Sequence, residues 1–70
     1  MFSEKLRQLR EERHWTQEQA ATQIGITTRN YQDLEGGKLP KYETLLSISD
    51  VYGVSIDWLV GRSSHRDVRP

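Results

Sequence analysis

No cysteine occurs among the 70 residues, which excludes a disulfide scaffold, a cysteine-ligated zinc site and a thiol nucleophile. The histidines His14 and His65 are too far apart for a local metal motif, so neither a metal nor a cofactor is expected. The longest apolar run is Trp58-Leu59-Val60, far short of a membrane span. Met1-Phe2 leads straight into charged residues without the apolar stretch of a secretory signal, and a cytoplasmic location is expected. Strand-like alternation is missing throughout, as are internal repeats and low-complexity stretches. No carboxylate pair, nucleophile–base pair or phosphate-binding glycine loop can be assembled, so enzyme chemistry has no support.

An excess of charge is missing too, since 10 basic side chains balance 10 acidic ones. The balance is uneven along the chain. Residues 1–61 carry seven basic and nine acidic groups, while 62–70 carry Arg62, Arg66 and Arg69 against Asp67. The globular part is therefore not a basic surface, and any hold on nucleic acid must rest on a few local contacts. A chain of this length fits one small domain, expected over 1–61, followed by a flexible tail over 62–70. Within that tail, a DNA-contacting arm is the alternative reading.

What is present is helical periodicity with punctuation. Ser3 is expected to cap a first helix whose inward stripe is Phe2, Leu6, Leu9 and Arg13. Thr16-Gln17-Glu18-Gln19 has the form of a capping box and opens a second helix with Ala20, Ala21 and Ile24 inside, ended by Gly25. Thr27 caps a third helix that runs through Glu35 and stops at Gly36-Gly37. Beyond Pro40, a fourth helix is expected from Tyr42 to Tyr52, with Leu45, Leu46, Ile48, Val51 and Tyr52 as its apolar contacts. Ser55 caps a short fifth helix bearing Ile56, Trp58 and Leu59. The expected fold is all-α, five short helices in about sixty residues.

The pair of helices around Gly25 carries the functional reading. Two short helices joined by a turn of about four residues containing Gly have the spacing of a helix-turn-helix, whose second helix can enter the DNA major groove. At about 100° per residue, Tyr31 and Leu34 centre the inner face of the third helix. Arg29 lies nearly opposite, flanked by Gln32 and Asp33, with Thr28 at the tip. These are groups that hydrogen-bond base edges: Arg suits guanine, Gln adenine, and an acid can accept from cytosine.

The stretch WTQEQAATQIGITTRNYQDLEGGK, Trp15 to Lys38, resembles the Cro and phage-repressor type of helix-turn-helix regulators, often called xenobiotic-response-element-like. YETLLSISDVYGVSIDWLVGR, Tyr42 to Arg62, looks like that family's fourth and fifth helices. The matching motifs are Thr16-Gln17, Ala21, Gly25, Glu35-x-Gly37 and Val54-Ser55-x-Asp57-x-Leu59. The resemblance implies a compact five-helix, lambda-repressor-like domain that binds operator DNA as a homodimer and regulates transcription as a repressor. It implies base contacts from Thr28, Arg29, Gln32 and Asp33. Phosphate contacts are implied from Gln17, with Thr27, Lys38 and Lys41 placed where the backbone runs. It also favours an ion pair between Arg10 and Glu35 over a phosphate role for Arg10.

The chain departs from the family at His14, where Gly is common, and at Ala20 and Tyr31, where a larger and a smaller residue are usual. Asp33 sets a negative charge on the reading face. Lys38 and Lys41 can also be read as ordinary solvated lysines. Trp58 is open between a core residue and the anchor of a dimer seam shared with Ile56. No small-molecule effector site is visible. The rival to a DNA-binding regulator is a protein-interaction module of the same fold, an antitoxin or antirepressor, kept open by the near-zero charge and Asp33.

Overall fold

The computed structural model describes residues 1–67. Five helices follow in order: α1 (Phe2–Glu12), α2 (Gln17–Ile24), α3 (Thr28–Glu35), α4 (Tyr42–Tyr52) and α5 (Ile56–Leu59). Three of their starts are fixed by hydroxyl caps. Thr16 accepts from the Gln19 amide at 3.1 Å, and the Gln19 side-chain oxygen in turn accepts from the Thr16 amide at 2.8 Å. Thr27 accepts from the Asn30 amide at 3.0 Å, and Ser55 from the Trp58 amide at 3.2 Å. Each such cap contributes about 1 kcal/mol.

The start of α1 differs from the sequence expectation. Its cap is Met1, whose carbonyl accepts from the Lys5 amide at 3.1 Å, and Ser3 lies inside the first turn. The Met1 amino group sits 3.3 Å from Glu4, so charge rather than a hydroxyl closes this end. The turn from α1 to α2 passes through His14 at φ 57. A non-glycine residue there costs about 1 kcal/mol.

The core gathers Leu6 and Leu9 from α1, Ala20, Ala21 and Ile24 from α2, Tyr31 and Leu34 from α3, Ile48 and Tyr52 from α4, and Val54 and Leu59 around α5. Burying each of the larger side chains contributes about 1.5–3 kcal/mol. Packing is most extensive between α2 and α3, and α1 also braces α3, so the third helix is held from two sides. Ala20 and Tyr31 are both fully buried in the α2 and α3 pair, a small residue on one helix and a large one on the other. Arg13, expected on the inward stripe, is exposed at the end of α1. Its guanidinium lies over the rings of Trp15 and Tyr52, 5.3 Å from each centroid, so it covers aromatic surface from outside.

Beyond α5, residues 62–67 return across the body. The Ser55 amide donates to the Arg66 carbonyl at 2.7 Å, and Val54 bridges to Asp67. The Arg66 guanidinium makes two charge-assisted bonds to Glu12 on α1. The part of the tail expectation that falls on 68–70 lies outside the described residues. No helix among the described residues is long and apolar enough to cross a membrane.

Candidate nucleic-acid interface

The third helix presents two faces of opposite chemistry. Tyr31, Leu34 and Glu35 are buried, while the Arg29 side chain is 85% exposed and Asp33 is 44% exposed. Gln32 is exposed beside them, and Thr28 is half-buried at the helix tip. The geometry thus places the expected base-contacting residues on one outward stripe. Arg29 Nε lies 3.7 Å from Asp33 Oδ1, a loose pair within one turn.

Thr27, Arg29, Asn30, Asp33, Lys38 and Lys41 are brought together around a groove of about 400 Å³ beside α3. Lys38 and Lys41 are both exposed on the loop that leaves the helix. The Lys38 amide is tied to the Asp33 carbonyl at 3.0 Å, which holds this loop against the end of α3. Three cations therefore flank one acid along the groove. Asn30 is a neighbour that the sequence reading missed. At 100° per residue it falls between the two faces, and only the position of the following loop shows that it lines this wall.

The caps of α2 and α3 leave the first amides of each helix without intrahelical partners, as at any helix start. Both starts carry partial positive charge suited to phosphate oxygens. Thr27 accepts from Asn30 through its oxygen, which leaves its hydroxyl proton free to donate. Gln17 opens α2 and is partly engaged: its amide nitrogen donates to Glu35 at 3.2 Å, and its oxygen accepts from Gln32 at 3.4 Å. The long second contact links the start of α2 to the outward face of α3.

Behind this face stands a buried polar cluster. Arg10 Nε donates to Glu35 at 2.7 Å, and Arg10 Nη2 reaches the other carboxylate oxygen at 3.2 Å. The Tyr31 hydroxyl donates to the same carboxylate at 2.5 Å. Arg7 approaches to 3.8 Å. The ion pair expected between Arg10 and Glu35 is thus present, and Tyr31 and Gln17 extend it in a way no local spacing indicated. Burial pushes the Glu35 carboxyl up, but the bonds from Arg10, Tyr31 and Gln17 outweigh it and hold the group below the usual carboxylate range. The Glu35 bond in turn raises the Arg10 guanidinium against its own burial. Burial, reinforced by the Glu35 bond, pushes the Tyr31 phenol far up. All three groups keep the charge states that the cluster needs at neutral pH.

Ile56 and Trp58, expected at a dimer seam, are half-buried. Two cations lie over the Trp58 ring, Lys5 at 4.9 Å and Arg66 at 5.4 Å from its centroid. Lys5 also donates to the Trp58 carbonyl at 2.6 Å. Among the described residues, no group of His, Asp and Glu could hold a metal ion.

An eight-residue helix with a hydrogen-bonding outer face, capped by Thr27 and packed on a second capped helix, is the arrangement of a helix-turn-helix. The helix-turn-helix family model matches residues 6–59, and the chain belongs to that family. It is 39% identical over 69 residues to the uncharacterized HTH-type transcriptional regulator YqaE of Bacillus subtilis (strain 168), covering 97% of this chain and 60% of that protein. It is 44% identical over 64 residues to the cryptic phage CTXphi transcriptional repressor RstR of Vibrio cholerae, covering 90% of this chain and 58% of the repressor. The HTH-type transcriptional activator BcrR of Enterococcus faecalis is 42% identical over 60 residues, covering 84% of this chain and 29% of the activator. The chain spans about 60% of the length of the first two relatives.

Proposed function

We propose that this chain is a sequence-specific, double-stranded-DNA-binding transcriptional regulator of the cytoplasm, acting as a homodimeric repressor by occupancy rather than by catalysis. The observation that carries this reading is the outward stripe of α3, with cations and helix starts arranged around it. An eight-residue helix is about 12 Å long, which suits the width of a major groove. Thr28, Arg29, Gln32 and Asp33 meet base edges in this reading, with Arg29 forking onto guanine. Thr27, Gln17, Lys38, Lys41 and the first amides of α2 and α3 hold the sugar-phosphate backbone on either side. Likeness to a phage repressor supports the negative sign of regulation.

Selection from randomised duplex DNA identifies the preferred site, and a mutant pair then separates reading from holding. Arg29→Ala costs about 1–3 kcal/mol on the selected site and relaxes preference at one base pair per half-site. Lys38→Ala weakens all duplexes alike and lowers the slope of log affinity against log salt by about one. Equal losses for Arg29→Ala on the selected and an unrelated duplex would make it a phosphate clamp and overturn the orientation of α3. Failure to enrich any duplex, with no salt-dependent affinity, would leave the fold as a protein-interaction module.

A further inference from the structure

The groove of about 400 Å³ beside α3 has an apolar floor as well as a charged edge. It lies between α3 and the loop that leads into α4, with Thr44 on the α4 side. Arg29, Lys38 and Lys41 stand against Asp33 along it, so positive charge is in excess. Beneath them, buried Leu34 and half-buried Pro40 form the floor, and Leu39, 79% exposed, forms a rim. Leu39 and Pro40 also continue into a second, apolar groove, where the start of α1, the loop with α4, and the end of α5 meet through Met1, Phe2, Leu45 and Val60. A duplex phosphate engages the exposed ends of the cations and leaves the floor and rim unused. Their placement suits a small anion with a flat body, in a volume usual for small-molecule sites.

We propose that the groove beside α3 is a nucleotide site, taking a nucleoside monophosphate with an amino group on its base, such as cytidine monophosphate, and that its occupancy excludes DNA. The exclusion rests on the DNA-binding reading; the site itself does not. A phosphate monoester carries about two negative charges at neutral pH. Lys38 and Lys41 receive it from the loop side, and the free Thr27 hydroxyl proton can donate to it. The ring lies against Pro40 and Leu39. Asp33 selects the base. Its Oδ1 is 3.7 Å from Arg29 Nε, too far for a full hydrogen bond, so the carboxylate keeps capacity to accept from an exocyclic amine, as an acid does from cytosine N4. Uracil sets an oxygen at the same place, which the carboxylate repels. Half-buried Asn30, on the same wall, can donate or accept at the remaining base edge. Arg29, Asp33, Lys38 and Lys41 are also the groups offered to DNA, so nucleotide and duplex compete. Apparent duplex affinity then falls by the factor one plus ligand concentration over ligand Kd. An open site for a ligand of this size binds with Kd on the order of 0.1–1 mM.

Amide NMR titration of the full chain without DNA tests the site, with cytidine monophosphate, uridine monophosphate, cytidine and inorganic phosphate as probes. Cytidine monophosphate is expected to give saturable shifts centred on Asn30, Asp33, Lys38, Lys41 and Thr44. Uridine monophosphate should bind about tenfold more weakly, and Asp33→Asn should shrink that gap to about twofold. Lys41→Ala should weaken both nucleotides by about threefold to tenfold and keep the gap. Cytidine and inorganic phosphate should each bind at least about tenfold more weakly than cytidine monophosphate. The urea midpoint monitors folding, and should Asp33→Asn unfold, the gap between the two nucleotides on the wild type decides. No saturation by about 10 mM, equal binding of the two nucleotides, inorganic phosphate as tight as cytidine monophosphate, a gap unchanged in Asp33→Asn, or shifts centred on Arg62 and Arg66 overturns the site. On the selected duplex, cytidine monophosphate should displace the chain at a lower concentration than uridine monophosphate; a duplex still bound at saturating nucleotide overturns the exclusion. A wild type that binds no duplex refutes the DNA reading instead, and the titration stands apart from it.

Discussion

Replacing Glu35 by Ala removes the acceptor for four donated hydrogen bonds, two from Arg10 and one each from Gln17 and Tyr31. The Glu35 side chain is 5% exposed and that of Arg10 17% exposed, so water cannot replace the carboxylate. Arg10 keeps only its bond to the Trp15 carbonyl at 3.1 Å, and the Tyr31 hydroxyl is left buried. Breaking a buried pair in this way costs about 3–5 kcal/mol, against about 0–1 kcal/mol for an exposed pair. A domain of this size is stable by about 4–10 kcal/mol. Glu35→Ala is therefore expected to move the urea transition to the edge of the folded range, with an unchanged slope if folding stays two-state. Combining it with Arg10→Ala should cost less than the two single losses together, because the second deletion no longer strands a charge.

Acid provides an independent route to the same group. The folded Glu35 carboxyl sits below its unfolded value, so its contribution is fully present above the unfolded pKa of about 4.3 and is lost as pH falls through the folded value. Wild-type stability should decline below about pH 4.3, and the Glu35→Gln variant should show less of that decline. A loss under about 0.5 kcal/mol for Glu35→Ala, measured by urea unfolding at neutral pH, would refute the assignment of this cluster as the anchor of α3.

His14→Gly should raise stability by about 0.5–1 kcal/mol in the same urea assay, because the left-handed backbone at φ 57 then carries no Cβ. A loss would show that the His14 side chain makes a compensating contact. The Tyr52 hydroxyl is buried without a hydrogen-bond partner among the described residues, so Tyr52→Phe should leave stability unchanged or raise it by up to about 1 kcal/mol. The Arg66 bonds lower the Glu12 carboxyl to about 2; in Arg66→Ala, an NMR titration of Glu12 should move back toward the ordinary carboxylate range, and an unmoved titration would mean that residues 62–67 do not dock on α1.

What could be read from the chain alone follows the range of each interaction. The starts of α2, α3 and α5 were legible because a hydroxyl cap acts across three residues, and Thr16, Thr27 and Ser55 each bond the amide three positions on. The two faces of α3 were legible because Tyr31 and Leu34 recur at helical spacing opposite Arg29. Local spacing did not reveal contacts between residues far apart in sequence. Lys5 meets Trp58 and Glu12 meets Arg66 across more than fifty residues, so a segment without periodicity still finds a fixed place. Arg13 was misplaced for a related reason. Its position repeats with Leu6 and Leu9, yet a guanidinium can lie over aromatic rings from the solvent side without entering the core. The apolar groove escaped notice because its walls come from three separate stretches of chain. The pairing of Arg10 with Glu35 came from family likeness, whereas the roles of Tyr31 and Gln17 in it needed the structure.

On the proposed DNA-binding reading, the buried and the exposed ion pairs of α3 would let one short helix be both held and free to read. Removing one partner of the buried pair beneath it costs about 3–5 kcal/mol, and four donated hydrogen bonds hold the Glu35 carboxylate in place. The pair on its outer face, Arg29 with Asp33, is open to solvent, and such pairs contribute about 0.3–0.5 kcal/mol. A bidentate contact from Arg29 to guanine discriminates by about 1–3 kcal/mol, enough to draw the guanidinium away from Asp33. Exchange of partner at Arg29 then needs rotation about side-chain bonds only, while α3 stays fixed on α1 and α2. Gln17 lies where the two layers touch, donating to the buried Glu35 and accepting from the exposed Gln32. When Gln32 turns to a base, the freed Gln17 oxygen cannot itself take up a phosphate, because both are acceptors. Its remaining amide proton can, with the bond to Glu35 kept. On that reading, phosphate holding at α2 and base reading at α3 are compatible with an intact anchor, and neither requires the core to move.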